Sequence, residues 1–404
     1  MRRRYIITTA KRSASIDINN YLTIEALEDG LTASLSVNDI EYCINGDNNW
    51  KTLTAGTTTE TINTGQTLSF RGNLTPNSSN GVGTFTISKS CNLKGNCNSL
   101  LFGDNASTNY SLSGKNYAFY NLFYNCSTIV NVSENFLPAT TLATQCCYGM
   151  FQGCTSLVNA PKLPATTLAR YCYASMFRNC SSLTTAPELP ATTLADSCYY
   201  YMFYTCHKLT TAPELPATTL ARYCYASMFR NCSSLTTAPE LPATTLADYC
   251  YHYMFYTCIK LNYIKMLATD ISATNCLRDW VYGVASSGTF VKNPEATWDV
   301  VGTSGVPSGW RVIFNSEVEE SLITFWINQI EGTGHGIKEY AALPYMTWEE
   351  WVESEYSFGR FVIEFDGSIA YMETDYPIGW IGDNYDYIYK EDIIQPNATY
   401  LIVG

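Results

Sequence analysis

"RYCYASMFRNCSSLTTAPELPATTLAD" stands at residues 170–196 and again, unchanged, at 222–248. The same phrase recurs in looser form at half that interval: Leu137, Leu163, Leu189, Leu215 and Leu241 each open "LPATTLA", and Leu267 opens a decayed copy, "LATDISA". A period of 26 residues, with a second period of 52 laid over it, marks a chain of stacked repeats in which each unit buries its apolar face on the next. Inside one unit, Leu168, Cys172 and Met176 fall four apart, with Ala169, Tyr173 and Phe177 beside them. That spacing predicts a helix entered near Pro164 and left at Asn179, and "SLTTAP" predicts a short strand ended by Pro187. One strand and one helix per 26 residues predicts a leucine-rich-repeat solenoid over residues 91–310, caps included, with about six coils. It would curve strands inward, because strands stack at about 4.8 Å and helices at about 8–10 Å. Its core would hold Leu183, Leu209 and Leu235 with rows led by Met176 and Phe177.

The totals fit a folded protein with more than one domain. Its 404 residues are 46% hydrophobic and 15% charged, with 31 Tyr, 17 Phe and 8 Trp. A net charge of −12 disfavours nucleic acid as a partner. No run of about 18 apolar residues suggests a membrane span. The apolar stretch Tyr5 to Ile7 is too short for a secretory leader, so synthesis without ordinary export is expected. Sixteen Cys would suggest disulfides, but Cys146 to Cys276 and Cys154 to Cys258 each recur every 26 residues. Two columns of small, reduced, buried thiols are the expectation.

Outside the repeats, residues 1–14 form a basic arm. Residues 15–90 hold seven short strand-like runs, "YLTIEAL" to "GTFTIS", which predict an immunoglobulin-like β-sandwich. Trp280, Trp298 and Trp310 lie where the repeat decays and predict a cap. Residues 315–404 make an acidic α+β module, with 17 Asp and Glu against Lys338, Arg360 and Lys390. There "LITFWINQI" predicts a strand, "TWEEWVESEY" a helix, "RFVIEFDGSIAYM" a hairpin turning at Asp366 and Gly367, and "ATYLIVG" a last strand.

Little in the sequence points to catalysis. His207 and His252 fill repeat positions that hold other residues elsewhere, and His335 stands in "EGTGHG", which has no ligand partner at metal-binding spacing. Glu188, Glu214 and Glu240, with Asp196 and Asp248 nearby, suggest polysaccharide hydrolysis, but identical recurrence disfavours the two distinct carboxylates it needs. No catalytic residue, cofactor or metal is expected. Alternating Arg170, Asp196, Arg222 and Asp248, and alternating Arg178, Tyr204, Arg230 and Tyr256, predict charge and cation–π pairing between coils.

Met176, Phe177, Cys180 and Leu183, with their copies from Met202, Met228 and Met254, form a Met-Phe-x-x-Cys-x-x-Leu core. It resembles the BspA-type, 26-residue surface-protein leucine-rich repeats found in gut bacterial and gut-phage proteins. "MTWEEWVESEY" is similar to a C-terminal module of phage fibre-like proteins. The resemblance implies an adhesin or virion appendage. Cellular adhesins of this kind carry a leader, so the expectation is a phage virion protein, a tail or head fibre or decoration protein, made in the host cytoplasm. The alternatives are a bacterial cell-surface adhesin and a polysaccharide depolymerase. Arg2, Arg3, Arg4, Lys11 and Arg12 would dock on other virion proteins. Thr184, Thr210, Thr236, Asn262, Tyr263, His252 and His335 are the candidates to meet a host glycan or protein, and a homo-oligomer is possible.

Overall fold

A computed structural model describes residues 15–315 and five strands between 360 and 403. The chain divides into two compact units, 1–314 and 315–404.

The first unit begins as a β-sheet. Strands β1 (Leu22–Ala26), β3 (Ile40–Ile44), β4 (Lys51–Leu53), β5 (Thr67–Arg71) and β7 (Cys91–Gly95) run in the order β4-β3-β5-β1-β7, all antiparallel. A sixth strand, β8 (Ile129–Val132), joins β7 in parallel from within the repeat region. Strands β2 (Ala33–Leu35) and β6 (Phe85–Ile87) pair separately. Six of the seven expected runs are strands, and "TETI" contributes only a bridge from Ile62 to Leu31. An immunoglobulin-like sandwich is not what they build. The second sheet is two three-residue strands, and the large sheet is extended by the repeats instead of being faced by a partner of equal size.

From about residue 117 the chain winds in stacked coils of 26 residues, and no α-helix forms among the described residues of any of them; a single 3-10 turn covers Glu134–Phe136. The α-helix among the described residues of this unit is α1 (Ser99–Phe102), of four residues. The expected helix over 166–177 is a run of turns whose hydrogen bonds alternate. The N–H groups of Cys172, Ala174, Met176, Arg178 and Cys180 donate three residues back, to Ala169, Tyr171, Tyr173, Ser175 and Phe177. Those of Tyr171, Tyr173, Ser175, Phe177 and Asn179 donate across to the next coil, at Asp196, Cys198, Tyr200, Met202 and Tyr204, over 2.8–3.1 Å. An α-helix would send every one of them four residues back. Every fourth residue is left-handed, with φ of 55° at Tyr171, 56° at Ser175 and 62° at Asn179, which no right-handed helix tolerates. The expected helix per repeat is therefore replaced by a turn ribbon. The expected curvature, which rested on helices needing more room than strands, loses its premise.

The four-residue period survives because each four-residue turn points two side chains inward. Met176, Met202, Met228 and Met254 are fully buried, as are Leu183, Leu209 and Leu235. Phe151, Phe177, Phe203, Phe229 and Phe255 stack at 5.7 Å, nearly parallel, and Phe123 begins the column against Phe85 of β6. One buried cluster thus runs from the N-terminal sheet into the coils. All sixteen Cys are free and buried. Cys180, Cys206, Cys232 and Cys258 each donate Sγ–H to the Phe carbonyl of the preceding coil, over 3.0–3.2 Å. A thiol suits this slot because it is small, apolar and still a weak donor.

The strand expected in each coil is reduced to single bridges such as Thr185↔Thr211 and Thr193↔Thr219. Regular pairing appears where the repeat decays: β9 (Tyr263–Met266), β10 (Thr289–Lys292) and β11 (Arg311–Phe314) form a parallel sheet. Trp280, Trp298 and Trp310 are buried there as expected. Their indole N–H groups donate to the carbonyls of Gly305, Ala268 and Ala285.

In the second unit, β12 (Arg360–Phe365) and β13 (Ser368–Met372) pair across 366–367 as the hairpin expected, and β16 (Leu401–Val403) adds to β12. Strands β14 (Ile378–Trp380) and β15 (Tyr387–Ile388) complete a five-stranded sheet. "LITFWINQI", the helix expected at "TWEEWVESEY", His335 and the basic arm with Arg2, Arg3, Arg4, Lys11 and Arg12 lie outside the described residues.

Candidate functional site

Two surfaces of the coil stack carry exposed residues in register. On the first, Thr184, Thr210 and Thr236 form one exposed column, and Thr185, Thr211 and Thr237 a second beside it. The backbone sets the register: Thr210 N–H donates to the Thr184 carbonyl at 3.1 Å and Asn262 N–H to that of Thr236 at 2.9 Å. Tyr263 follows by bridging Thr237. Five of the seven candidates, Thr184, Thr210, Thr236, Asn262 and Tyr263, are thus brought together on neighbouring coils. Thr210, Glu214, Thr236 and Glu240 line a groove of about 670 Å3 floored by Pro213 and Leu215.

Glu188, Glu214 and Glu240 continue along this face, all exposed. Lysines stand at both ends of the row: Lys162 pairs with Glu134 at 2.7 Å and Lys265 with Glu240 at 3.2 Å. The hydrogen bond to Glu134 raises the Lys162 ammonium above its ordinary range, with Glu188 adding to it. Among the described residues Glu188 and Glu214 form no ion pair. The groove is a shallow trough lined by prolines, alanines and Leu215 together with threonine hydroxyls and the carboxylates of Glu214 and Glu240, suited to sugar ring faces and hydroxyls.

His252 is not part of this face; it packs on Tyr223, Tyr249 and Tyr253 in a belt of rings and arginines. Burial, with Arg278 and Arg230 adding to it, holds its imidazole below the ordinary range, and Asp279 opposes them. The expected Arg–Tyr alternation is present: Arg178 lies 4.9 Å over Tyr204, and Arg230 lies 4.5 Å over Tyr256 and 5.7 Å over Tyr204. The expected Arg–Asp alternation does not form ion pairs. Arg170 lies over Tyr171, Arg222 over Tyr223 and Tyr249, and the Asp248 carboxylate accepts from Thr274 N–H at 2.8 Å. The aromatic rings next to each guanidinium hold it where a bridge to the neighbouring coil would otherwise reach.

Sequence reasoning missed the reason for the 52-residue period. Coils bearing Arg178 and Arg230 carry the small pairs Ala174–Ser175 and Ala226–Ser227, and the intervening coils carry Tyr200–Tyr201 and His252–Tyr253 at the same places. Large rings in one coil close over small residues in its neighbour, which leaves Ser175 and Ser227 1% exposed. The alternation of small and large was visible in the repeat itself.

The thiols are poor candidates for chemistry. Burial pushes Cys206, Cys224 and Cys258 up to about 12, and Cys43 and Cys276 to about 11, so the nucleophilic thiolate is disfavoured. Among the described residues no three His, Cys, Asp or Glu side chains gather as a metal site, and no helix is long and apolar enough to cross a membrane. Set beside known proteins, the chain matches no family model, no curated protein and no solved structure.

Proposed function

We propose that this chain is a non-enzymatic virion protein, a fibre or decoration component, whose coil stack presents the Thr/Glu face to glycan on a host bacterium. The observation that carries the reading is the groove itself. Thr210, Glu214, Thr236 and Glu240 recur in register on successive coils, so one ligand unit can be met by one coil and the next unit by the next. A linear glycan is the ligand whose own repetition such a face matches. Assembly in a virion, rather than on a cell surface, is supported by sixteen buried, unlinked cysteines, which suit folding in a reducing compartment. In this reading the N-terminal arginines dock on other virion proteins.

The test has two arms. Mass spectrometry of virions purified from the producing culture should find the chain as a stoichiometric component; its absence refutes the virion assignment. Thr210→Val with Thr236→Val should weaken binding of the full chain to host cells about tenfold, the worth of one to two hydrogen bonds. Unchanged binding with intact folding refutes the groove. No reducing ends should appear from host glycan, with or without Glu214→Gln.

A further inference from the structure

The belt of arginines and rings has features that packing alone leaves unexplained. Arg178 and Arg230 receive no carboxylate: among the described residues neither guanidinium makes an ion pair or donates a hydrogen bond, although the protein carries a net charge of −12. The Nε atoms of both are buried without a partner, and so are the hydroxyls of Ser175 and Ser227 in the same two coils. Each guanidinium lies against tyrosine faces, Arg178 on Tyr201 and Tyr204, Arg230 on Tyr204, Tyr253 and Tyr256. Their planes are therefore fixed while the side chains remain partly exposed. Such a guanidinium has its orientation set in advance and its outer N–H groups free for a carboxylate or sulfate, which it would bind with two parallel bonds.

The spacing selects the ligand. Each coil advances about 4.8 Å along its backbone hydrogen bonds and 5.7 Å along the phenylalanine column, so the two arginines, two coils apart, recur at about 10–11 Å with a tyrosine between them. One coil matches the length of one extended hexopyranose unit, and two coils match a disaccharide. Nucleic-acid phosphates follow one another more closely than this. Asp196 and Asp248, in the neighbouring Arg170 and Arg222 column, would repel an anion on every sugar but leave alternate coils open. We infer that this belt is a second binding site, separate from the Thr/Glu groove. It would take an acidic polysaccharide bearing one carboxylate or sulfate per disaccharide. The anions sit on Arg178 and Arg230, and the intervening sugar crosses the outer edge of Tyr204, whose ring lies between the two guanidinium groups.

The full chain should be titrated calorimetrically with four probes of matched length: hyaluronan (a carboxylate on alternate sugars), polygalacturonate (one on every sugar), neutral chitin oligosaccharide, and a single-stranded oligodeoxynucleotide. Hyaluronan should bind tightest, and more weakly as salt is raised. Arg178→Gln and Arg230→Gln should each lower its affinity about tenfold. Arg230→Lys, which keeps the charge but loses the planar fork, should fall between, at an unchanged melting temperature. Thr210→Val with Thr236→Val should leave hyaluronan binding intact, which separates this site from the groove. Chitin or the oligonucleotide binding as tightly as hyaluronan, polygalacturonate binding more tightly, or affinity indifferent to both arginines would overturn the inference.

Discussion

The N-terminal sheet and the coil stack solve the same problem, satisfying backbone groups while burying one face, in opposite ways. In the sheet, β1 lies between β5 and β7, with partners 48 residues onward at Leu22↔Phe70 and 71 onward at Thr23↔Lys94, and each strand is a different sequence. In the stack beyond the first coil, each coil meets its neighbours through N–H groups that reach one repeat onward or back and through a phenylalanine column that repeats at 5.7 Å. The sheet can therefore fail as a whole, whereas the stack can fail coil by coil. The two meet where β8, a coil segment, joins β7. There an asparagine row crosses the seam, Asn131 donating to Asn92 at 3.0 Å and Asn159 to Asn131 at 2.7 Å.

The largest expected effect comes from opening the aromatic column. Phe203→Ala should cost about 3–5 kcal/mol, the usual loss for a buried Phe. Hydrogen exchange should show protection lost in the flanking coils while β1, β5 and β7 keep theirs. Phe70→Ala, at the same cost, should loosen all the strands of the sheet together. Equal loss in both regions from either variant would erase the distinction. A smaller effect is expected at the seam: Asn131→Ala removes two hydrogen bonds of the row, about 1–2 kcal/mol, and exchange should quicken first in β7 and β8.

Much of this architecture could be read in the sequence. The 26-residue period gave the stack, its inward Met, Phe, Leu and Cys columns, and the tryptophan cap, because burial imposes the same chemistry at each turn. What it could not give was the path between those columns. Cys172 and Met176 are four apart in an α-helix and equally so in a ribbon of four-residue turns. The discriminating signal is weaker: Gly149 and Gly153 hold the columns of Ser175 and Asn179, with φ of 58° and 78°, inside what reads as a helix. A Cβ at Gly153 would also strike Asn125 Oδ1 of the preceding coil. The parallel seam of β7 with β8 had no local signal, since such pairing is set by the far side of a connection. Of the candidate site, the threonine columns were legible because they are polar where the rest of the repeat is apolar. The belt was half legible: Arg178 and Arg230 were matched to rings, but Arg170 and Arg222 were expected on aspartates.

The smallest effect bears on the central claim, that each coil is a ribbon of turns with a left-handed residue every fourth position. Ser175→Gly and Ser175→Ala should be compared by thermal unfolding of the full chain. At φ 56° a glycine avoids the clash that an L side chain suffers, so the glycine variant should be the more stable by about 1 kcal/mol. In a helix the order reverses by about the same amount, alanine above glycine. An alanine variant that melts above the glycine variant would contradict the turn ribbon.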